Sequence, residues 1–180
     1  MQTERLLLRV PTQQDGPSIV RVNGQLDVAR GTSSFPHPYT EQHALEWIEL
    51  CGREHDAGTS VQWVITLAPS AELIGSIGLR LTPEHGRGML GYVLDVHHWG
   101  LGYATEAVRA VINHGFDMLG LERIEATHWG WNAASGRVLQ KVGFRHEGVM
   151  RRRFKRLGEW QDEVCYGMLR SDRASPPGAT

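Results

Sequence analysis

The strongest hydrophobic pattern lies in the middle of the chain, where apolar residues recur every three or four positions. This spacing gives an α-helix one apolar face; the residues are Ala104, Ala107, Val108, Val111, Ile112, Phe116 and Leu119. Gly120 ends the predicted helix, because glycine is common directly after a last helical turn. Just before the helix the chain reads HWGLGYAT (98–105). The pattern therefore places two closely spaced glycines, Gly100 and Gly102, at a helix start.

Short apolar runs, separated by turn residues, predict seven β-strands. Four precede the central helix and three follow it, at residues 4–10, 60–68, 72–82, 88–96, 121–129, 144–154 and 159–169. Helical spacing predicts three more helices, over 15–30 with a weak point at Gly24, after the N-cap Thr40, and from the N-cap Asn132 to Gly143. The order β-α-α-β-β-β-α-β-α-β-β predicts one mixed sheet in an α+β domain.

Composition adds a size and an environment to this picture. The chain has 180 residues, which suits one domain with a real core. We expect that domain over residues 1–170 and a disordered tail over 171–180. The formal net charge of −1 gives no general attraction to DNA or to membranes. Cys51 and Cys165 are far apart, and the sequence shows no signal peptide or spanning apolar run, so we expect a cytoplasmic protein.

The glycine pair indicates an anion site, because a helix N-terminus offers unpaired N–H groups and a partial positive charge. Glycine also lets the backbone approach an anion closely. A nucleotide-binding P-loop needs GxxxxGK followed by Ser or Thr, which the chain lacks. A dinucleotide fingerprint needs a third glycine where Thr105 stands. GTP and NAD are therefore remote alternatives.

Two motifs point to a different phosphate carrier. The segment LGYVLDVHHWGLGYATEAVRAVINHGF, followed by LERIEATHWGWNAASGRVLQKVGFRHEG, resembles the GNAT acetyltransferases, and most of all the branch with the Rim-type ribosomal-protein N-terminal acetyltransferases. Gly102 and Ala104 match the acyl-CoA signature of the family, with Trp99 where Gln or Arg is usual. The second signature, NxxSxxxxxKxGF, is matched in full by Asn132, Ser135, Lys141, Gly143 and Phe144. The resemblance covers roughly residues 4–170.

This resemblance implies a GNAT fold, with a mixed, mostly antiparallel seven-stranded sheet, about four helices and two splayed central strands. Acetyl-CoA is the implied co-substrate, and no metal is required. The resemblance further implies that the pantetheine arm of acetyl-CoA enters between the strands GMLGYVLDV and RIEATHW. The implied acetyl-CoA contacts are Val93, Leu94, Val96, Gly100, Leu101, Gly102, Tyr103, Ala104, Thr105, Asn132, Ser135 and Lys141. In this interpretation the backbone N–H of Leu94 or its neighbour stabilises the oxyanion.

The resemblance also assigns the acid, and leaves the base open. Ser135 is the candidate that protonates the departing thiolate, since Leu139 stands where many relatives have a Tyr. Asp95 and Glu106 match frequent carboxylate positions of the branch, but a turn former and a first-turn helix charge explain them equally well. Glu125, two residues from Arg123, is the candidate base. At the position of the usual Rim-type glutamate the chain has Phe154.

Aromatic and basic residues are the candidates for the acceptor side. Trp129 and Trp131, together with Phe35 and Tyr39 of the proline-rich loop, are expected to line the acceptor mouth. The run RRRFKR (151–156) either steers an acidic acceptor or RNA, or belongs to a solvated edge strand, the commoner explanation. The nine histidines form no HxxxH or HExxH spacing, so we expect no metal.

The sequence thus predicts an N-acetyltransferase that moves an acetyl group from acetyl-CoA to a primary amine. Direct attack in a ternary complex is favoured, because neither cysteine lies in a motif. The predicted acceptor is a protein N-terminal α-amino group; a polyamine, an amino acid or an aminoglycoside is the alternative. A CoA-binding regulatory module without turnover is the alternative from another class. A homodimer is compatible with the sequence, which does not determine the oligomeric state.

Overall fold

Seven strands form one sheet in the computed structural model, which describes residues 1–33, 35–156 and 158–174. The strands are β1 (Leu6–Arg9), β2 (Ser60–Leu67), β3 (Leu73–Thr82), β4 (Arg87–Leu94), β5 (Arg123–Trp129), β6 (Arg145–Arg156) and β7 (Glu159–Leu169). The helices of the described residues are α1 (Gly16–Asn23), α2 (Leu26–Arg30), α3 (Glu41–Asp56), α4 (Tyr103–Asp117) and α5 (Ala133–Lys141). This is the predicted α+β GNAT architecture.

The sheet has the order β1-β2-β3-β4-β5-β7-β6, and its one parallel pair, among the described strands, joins β4 to β5. That pairing runs from Arg87 with Arg123 to Leu90 with Ala126 and then stops. Strand β4 continues to Leu94 and β5 to Trp129 without further pairing to each other. The two central strands therefore part over their last residues, as the family resemblance implies.

The helices cover the two faces of the sheet in separate groups. Trp63 and Ile65 of β2 pack in the larger core with α4 and α5, whereas Val64 between them packs with α1 and α3. Neighbouring residues of a strand face opposite sides, so α4 and α5 lie on one face and α1 and α3 on the other. The gap between β4 and β5 is thus flanked by α4 and α5.

Two details differ from the sequence prediction. The helix expected over 15–30 is divided at Gly24 into α1 and the short α2, which makes five helices instead of about four. Residues Arg170–Ala174 form a 3-10 helix, in which the Arg173 guanidinium pairs with Asp117 at the end of α4. Residues 171–174, which were expected in the tail, are thus helical in the structure, and the domain end at residue 170 stays a prediction. The rest of the expected tail, 175–180, lies outside the described residues.

No helix in the described ranges is long and apolar enough to cross a membrane.

Candidate active site

The loop ahead of α4 has the backbone that only glycine adopts easily. Gly100 has φ +77° and Gly102 has φ +85°, both in the left-handed region, where a Cβ atom is strained. Gly102 is the N-cap of α4, and no side chain caps this helix end. The first N–H groups of a helix have no partner within the helix. They are therefore available to an anion in front of Tyr103.

A cavity of about 370 Å³ lies at this helix end. Its lining residues are Glu4, Arg5, Gly102, Thr105, Glu106, Arg109 and Lys141. Three cations, a helix N-terminus and a polar hydroxyl suit a diphosphate. Gly102, Thr105 and Lys141 are among the acetyl-CoA contacts expected from the sequence, whereas Arg5 and Arg109 were not expected there. Arg109 follows Thr105 by four residues, so it lies on the same helix face and the helical spacing was enough to find it.

Glu106 connects this loop to β1. Its carboxylate accepts the backbone N–H of Arg5 at 2.8 Å, the Arg5 Nε at 2.7 Å and the Thr3 hydroxyl at 2.6 Å. The Arg5 guanidinium also donates to the Leu101 carbonyl at 3.0 Å and lies 4.5 Å from the ring centre of Tyr103. Partial burial alone would raise the pKa of Glu106. These hydrogen bonds and the charge of Arg5 together lower the pKa by more than burial raises it, so the net shift is downward. Glu106 is a poor base and holds the loop in place.

Asp95 has a comparable structural role at the end of β4. Its buried carboxylate accepts the N–H of His97 at 3.0 Å and pairs with the Arg21 guanidinium. Desolvation raises the pKa of Asp95, while hydrogen bonds from His97, Gln25 and Arg21 lower it more, so the net shift is downward. Asp95 therefore starts the 3-10 turn Val96–His98 as its N-cap, and it is not free to accept a proton.

The backbone of Leu94 faces the gap. The N–H of Asp95 donates to the Ile74 carbonyl of β3 at 2.8 Å, and successive N–H groups of a strand point to opposite sides. The N–H of Leu94 therefore points away from β3, into the part where β4 and β5 are unpaired, whereas that of Val93 points toward β3. The Leu94 carbonyl accepts the Trp99 indole N–H at 2.9 Å, and Val96 N–H donates to Gln25 at 3.0 Å.

Ser135 lies at the start of α5, on the same side of the gap. Asn132 is the N-cap, and its Oδ1 accepts the Ser135 N–H at 3.2 Å. The Ser135 hydroxyl lies 2.8 Å from the hydroxyl of Tyr92 on β4. Burial raises the pKa of Tyr92, against a smaller lowering by the hydrogen bond to Ser135. Tyr92 therefore stays protonated, and the structure brings together a hydroxyl pair that the sequence analysis missed.

Tyr92 had one signal in the sequence. It precedes Leu94 by two residues on a predicted strand, so both side chains lie on the same face of β4. That face packs against α4 and α5, because Leu90 and Leu94 belong to the core there. Leu139, which stands at the usual tyrosine position on α5, is fully buried in the same core.

Glu125 lies away from the parted strands. It is in register with Met89, inside the paired segment of β4 and β5. Its carboxylate is 2.8 Å from the Arg123 Nε and 3.6 Å from Arg87, so the ion pair with Arg123 that the sequence predicted is present. The proposed role of Glu125 as base stays a prediction, and this placement disfavours it because the gap opens farther along β5.

Two of the four expected acceptor residues lie at the open end of β5. Trp129 is buried, and its ring centre is 5.5 Å from that of Phe154. The Trp129 indole N–H is buried and has no partner among the residues described. Trp131 is half exposed, and the Arg30 guanidinium lies 5.9 Å from its ring centre. That these aromatic side chains form one wall of an acceptor mouth stays a prediction.

The other two expected acceptor residues lie elsewhere. The rings of Phe35 and Tyr39 have centres 5.4 Å apart, and they line a second cavity of about 430 Å³ on α3, with Pro36, His43, Glu46, Trp47, Leu50 and Arg53. Neither tryptophan of the mouth lines this cavity. Arg156, at the end of β6, connects that strand to the Phe35 region, because its guanidinium donates to the Phe35 carbonyl at 2.5 Å.

Comparisons with known proteins agree with this fold. Residues 5–145 match the Acetyltransferase (GNAT) domain family. The chain is 33% identical to the uncharacterised N-acetyltransferase YoaA of Bacillus subtilis and 36% identical to the uncharacterised N-acetyltransferase YnaD of the same species, in each case over 94% of this chain and 96% of the relative. The chain belongs to the GNAT acetyltransferase family.

Solved structures show the same fold. A GNAT-family acetyltransferase from Bacillus anthracis superposes with a TM-score of 0.81 at 26% identity, covering 94% of this chain and 97% of that one. The ribosomal-protein-S5-alanine acetyltransferase from Vibrio fischeri gives a TM-score of 0.85 at 21% identity, covering 96% and 97%. The family resemblance inferred from the motifs is therefore confirmed, and the chain is an acetyl-CoA-dependent N-acetyltransferase.

Proposed function

We propose that this enzyme acetylates the α-amino group of a protein N-terminus, by direct attack of the amine on acetyl-CoA in a ternary complex. The carboxylates near the gap carry this proposal, because they are already engaged. Asp95 and Glu106 are fixed by hydrogen bonds that lower their pKa values, and Glu125 is paired with two arginines at the closed end of the gap. An acceptor that needs little help to lose its proton fits such a site.

The acceptor's own basicity then decides the substrate class. An α-amino group has a pKa of about 7.7–8.0, so roughly a third of it is neutral at pH 7.5. A lysine-like amine has a pKa of about 10.4, and only about 0.1% of it is neutral at that pH. A polyamine or an aminoglycoside with amines of this basicity therefore requires a stronger general base. The α-amino group is the better match.

One further carboxylate lies at the mouth and was not found from the sequence. Glu163 of β7 is in register with Trp129, so both side chains lie on one face of the sheet. Its carboxylate is mostly buried and lies 3.7 Å from the Arg153 guanidinium. We assign it the task of orienting the acceptor's ammonium group before the proton leaves.

The acyl transfer itself uses the backbone and two hydroxyls. The thioester carbonyl is placed at the Leu94 N–H, and a single oxyanion donor of this kind lowers the barrier of acyl transfer by about 3–4 kcal/mol. Ser135 gives a proton to the departing thiolate, and the Tyr92 hydroxyl at 2.8 Å orients Ser135 and passes a proton to it. Solvent water takes up the proton that the attacking amine loses and returns one to Tyr92, so the enzyme ends the step in its starting protonation state. A weak acid is sufficient here, because a thiol with a pKa near 8.5 is a good leaving group.

The residues at the α4 N-terminus fit the diphosphate of acetyl-CoA. In this proposal the N–H groups from Leu101 to Thr105 bind it, with Arg5, Arg109 and Lys141 supplying charge. Asn132 has a side-chain amide on α5, and we assign its NH₂ group to a pantetheine carbonyl. When bound, acetyl-CoA supplies the activated acetyl group.

A thiol-release assay tests the proposal directly. Purified enzyme is mixed with acetyl-CoA and, in separate reactions, with unblocked N-terminal peptides, the same peptides with a blocked α-amine, spermidine and an aminoglycoside. We expect CoA release with unblocked peptides and none above background with blocked ones. Turnover of spermidine or the aminoglycoside without turnover of any peptide would assign a small-amine acceptor. Calorimetric binding of acetyl-CoA without turnover of any amine would indicate the regulatory module.

A further inference from the structure

Strand β6 contains a bulge made of three arginines. After the pair between Met150 and Glu163 the register shifts, and the next residue of β6 that pairs with β7 is Phe154. The residues between them, Arg151–Arg153, form what we name the arginine bulge. A bulge turns the side chains of its strand away from the regular alternation. Here it presents consecutive basic residues next to Phe154, which contacts Trp129 at the mouth.

The arginine bulge is tied to the acceptor mouth through Asp162 of β7. Arg152 has φ +50°, in the left-handed region that residues with a side chain rarely adopt. Its N–H donates to the Asp162 carboxylate at 2.8 Å, while the Asp162 carbonyl accepts the N–H of Gly130 at 2.9 Å. Gly130 separates the two mouth tryptophans. Backbone strain that is held by such contacts occurs preferentially at functional sites.

The charges of this segment are only partly compensated. Arg153 pairs with Glu163, and Arg156 donates to the backbone carbonyls of Ala29 and Phe35. The side chains of Arg151, Arg152 and Lys155 are exposed and take part in no hydrogen bond or ion pair within residues 1–33, 35–156 and 158–174. Three positive charges therefore stand beside the place where the acceptor enters.

We propose that Arg151, Arg152 and Lys155 bind acidic side chains of the acceptor peptide, a few residues after its N-terminal amine. This inference rests on the proposed function and names its substrate class. Residues 151 to 155 of a strand span at most about 13 Å, which matches about four residues of an extended peptide. Opposite charges at such an entrance raise the association rate and exclude cationic competitors.

The number of charges favours a peptide over RNA. Three uncompensated cations on one short segment neutralise few phosphates, whereas nucleic-acid binding commonly engages about six to ten of them. The chain as a whole has a net charge of −1, so it lacks the general positive field of an RNA-binding protein. The acidic peptide is therefore the occupant that the charge distribution fits.

A peptide series of constant length separates these possibilities. Three hexapeptides share the N-terminal residues Ala-Gly and carry two aspartates, two serines or two arginines at the third and fourth positions. Arginine is used in place of lysine so that the α-amine stays the one reactive amine. kcat/KM is measured for each at low (about 0.02 M) and high (about 0.5 M) salt, with wild type, the double variant R151E/K155E and the control R80E. Arg80 is exposed on β3, at the end where β4 and β5 are paired.

We expect the aspartate peptide to exceed the serine peptide about tenfold in kcat/KM at low salt and about twofold at high salt. The ratio falls below one in R151E/K155E and is unchanged in R80E. A ratio near one in wild type, or a high ratio that R151E/K155E retains, overturns the proposal. The proposal is also overturned if the peptide ratio is near one and a fluorescent single-stranded RNA binds to wild type but not to R151E/K155E. If no peptide of any charge is acetylated, the proposed function itself fails.

Discussion

The hydroxyl oxygens of Tyr92 and Ser135 lie 2.8 Å apart and connect strand β4 to helix α5. Tyr92 precedes Leu94 by two residues, and the Leu94 N–H faces the gap between the parted strands. Tyr92 and the proposed oxyanion donor therefore lie two positions apart on one strand. Leu139 fills the core where, by the family resemblance, many relatives have a tyrosine on α5. In the proposed mechanism the tyrosine on the strand supplies the phenol instead.

The pair should act as a unit in catalysis. Tyr92→Phe keeps the ring and removes the hydroxyl, and Ser135→Ala removes its partner. Because the leaving thiolate needs only a weak acid, we expect each change to lower kcat about tenfold, with the KM for acetyl-CoA within about twofold of wild type. Since both act on one proton transfer, the double variant should be about as slow as the worse single one.

Steady-state kinetics of the four enzymes checks this. If the two losses multiply in the double variant, the hydroxyls act independently and the pair is not a relay. Tyr92 has an additional readout, because its raised pKa keeps it protonated. Wild type should therefore keep its activity up to about pH 9.5. A loss of activity below that pH that is seen in wild type and absent from Tyr92→Phe would contradict this.

Gly102→Ala tests the diphosphate loop. An alanine at φ +85° is strained by about 1–2 kcal/mol, and its Cβ would meet the Arg5 guanidinium at 3.4 Å. Relieving the strain at this φ shifts the loop and turns its N–H groups from their common direction, so we expect acetyl-CoA to bind about tenfold more weakly by calorimetry.

The matched control for this glycine is Gly52→Ala. Gly52 lies within α3, and a Cβ there meets nothing within 4 Å. Alanine is the better helix former, so the control should be at least as stable as wild type, with an unchanged Kd. Equal affinities of Gly102→Ala and Gly52→Ala would show that the loop does not hold the diphosphate.

The helices and strands of this fold could be predicted from the sequence because they depend on local hydrophobic periodicity. Helix α4 was expected over 104–119 and spans Tyr103–Asp117, and the cap at Asn132 is where it was predicted. The motifs also placed Gly102, Thr105 and Lys141 around one cavity. Each of these features is decided by residues within a few positions of one another, which is the range that a sequence pattern reports.

The parts that were missed depend on register and on distant pairs. Glu125 is predicted as the base because it is a strand carboxylate near the expected cleft, but only the β4–β5 register shows that it lies where the strands are still paired. Arg5 and Glu106 are 101 positions apart, and their pairing follows from how β1 packs beside α4. The arginine bulge was also hidden, because strand alternation does not reveal extra residues in β6.

Trp131→Ala tests the acceptor mouth. The indole is half exposed beside Arg30, so its removal should disturb substrate contact more than folding. We expect the KM for the peptide to rise about five- to tenfold, with the KM for acetyl-CoA unchanged. Met118→Ala is the control, because Met118 is an exposed apolar residue just after α4. An unchanged peptide KM in Trp131→Ala would remove Trp131 from the acceptor site.

Glu106 should make stability depend on pH in a defined direction. Its pKa in the folded state lies below its ordinary value of 4.5, so its stabilising effect is complete above pH 4.5 and is lost as the pH falls through the folded pKa. Glu106→Gln removes the charge that Arg5 and Thr3 bind. We expect this variant to be less stable than wild type by about 1–3 kcal/mol at pH 7, with the difference shrinking toward pH 3.

Urea denaturation at pH 7, 5 and 3 measures this difference, read as free energies of unfolding at matched m-values. Glu84→Gln serves as the control, because Glu84 is exposed in the turn between β3 and β4. That control should follow wild type at every pH. A difference for Glu106→Gln that is constant with pH would mean that the hydrogen bonds of Glu106 do not depend on its charge.

The pH dependence of the reaction should follow the acceptor and not the enzyme. Asp95 and Glu106 have lowered pKa values, so both are ionised throughout pH 6–9 and contribute no titration there. In a plot of kcat/KM against pH, the value should then rise with pH and level off near the pKa of the peptide's amine, about 7.7–8.0. We refer to this rise as the acidic limb. A peptide that begins with β-alanine has a more basic amine, and its profile should shift upward by the same amount as that amine's pKa. Identical profiles for both peptides would instead assign the limb to a general base of the enzyme, with Glu163 at the mouth the first residue to replace.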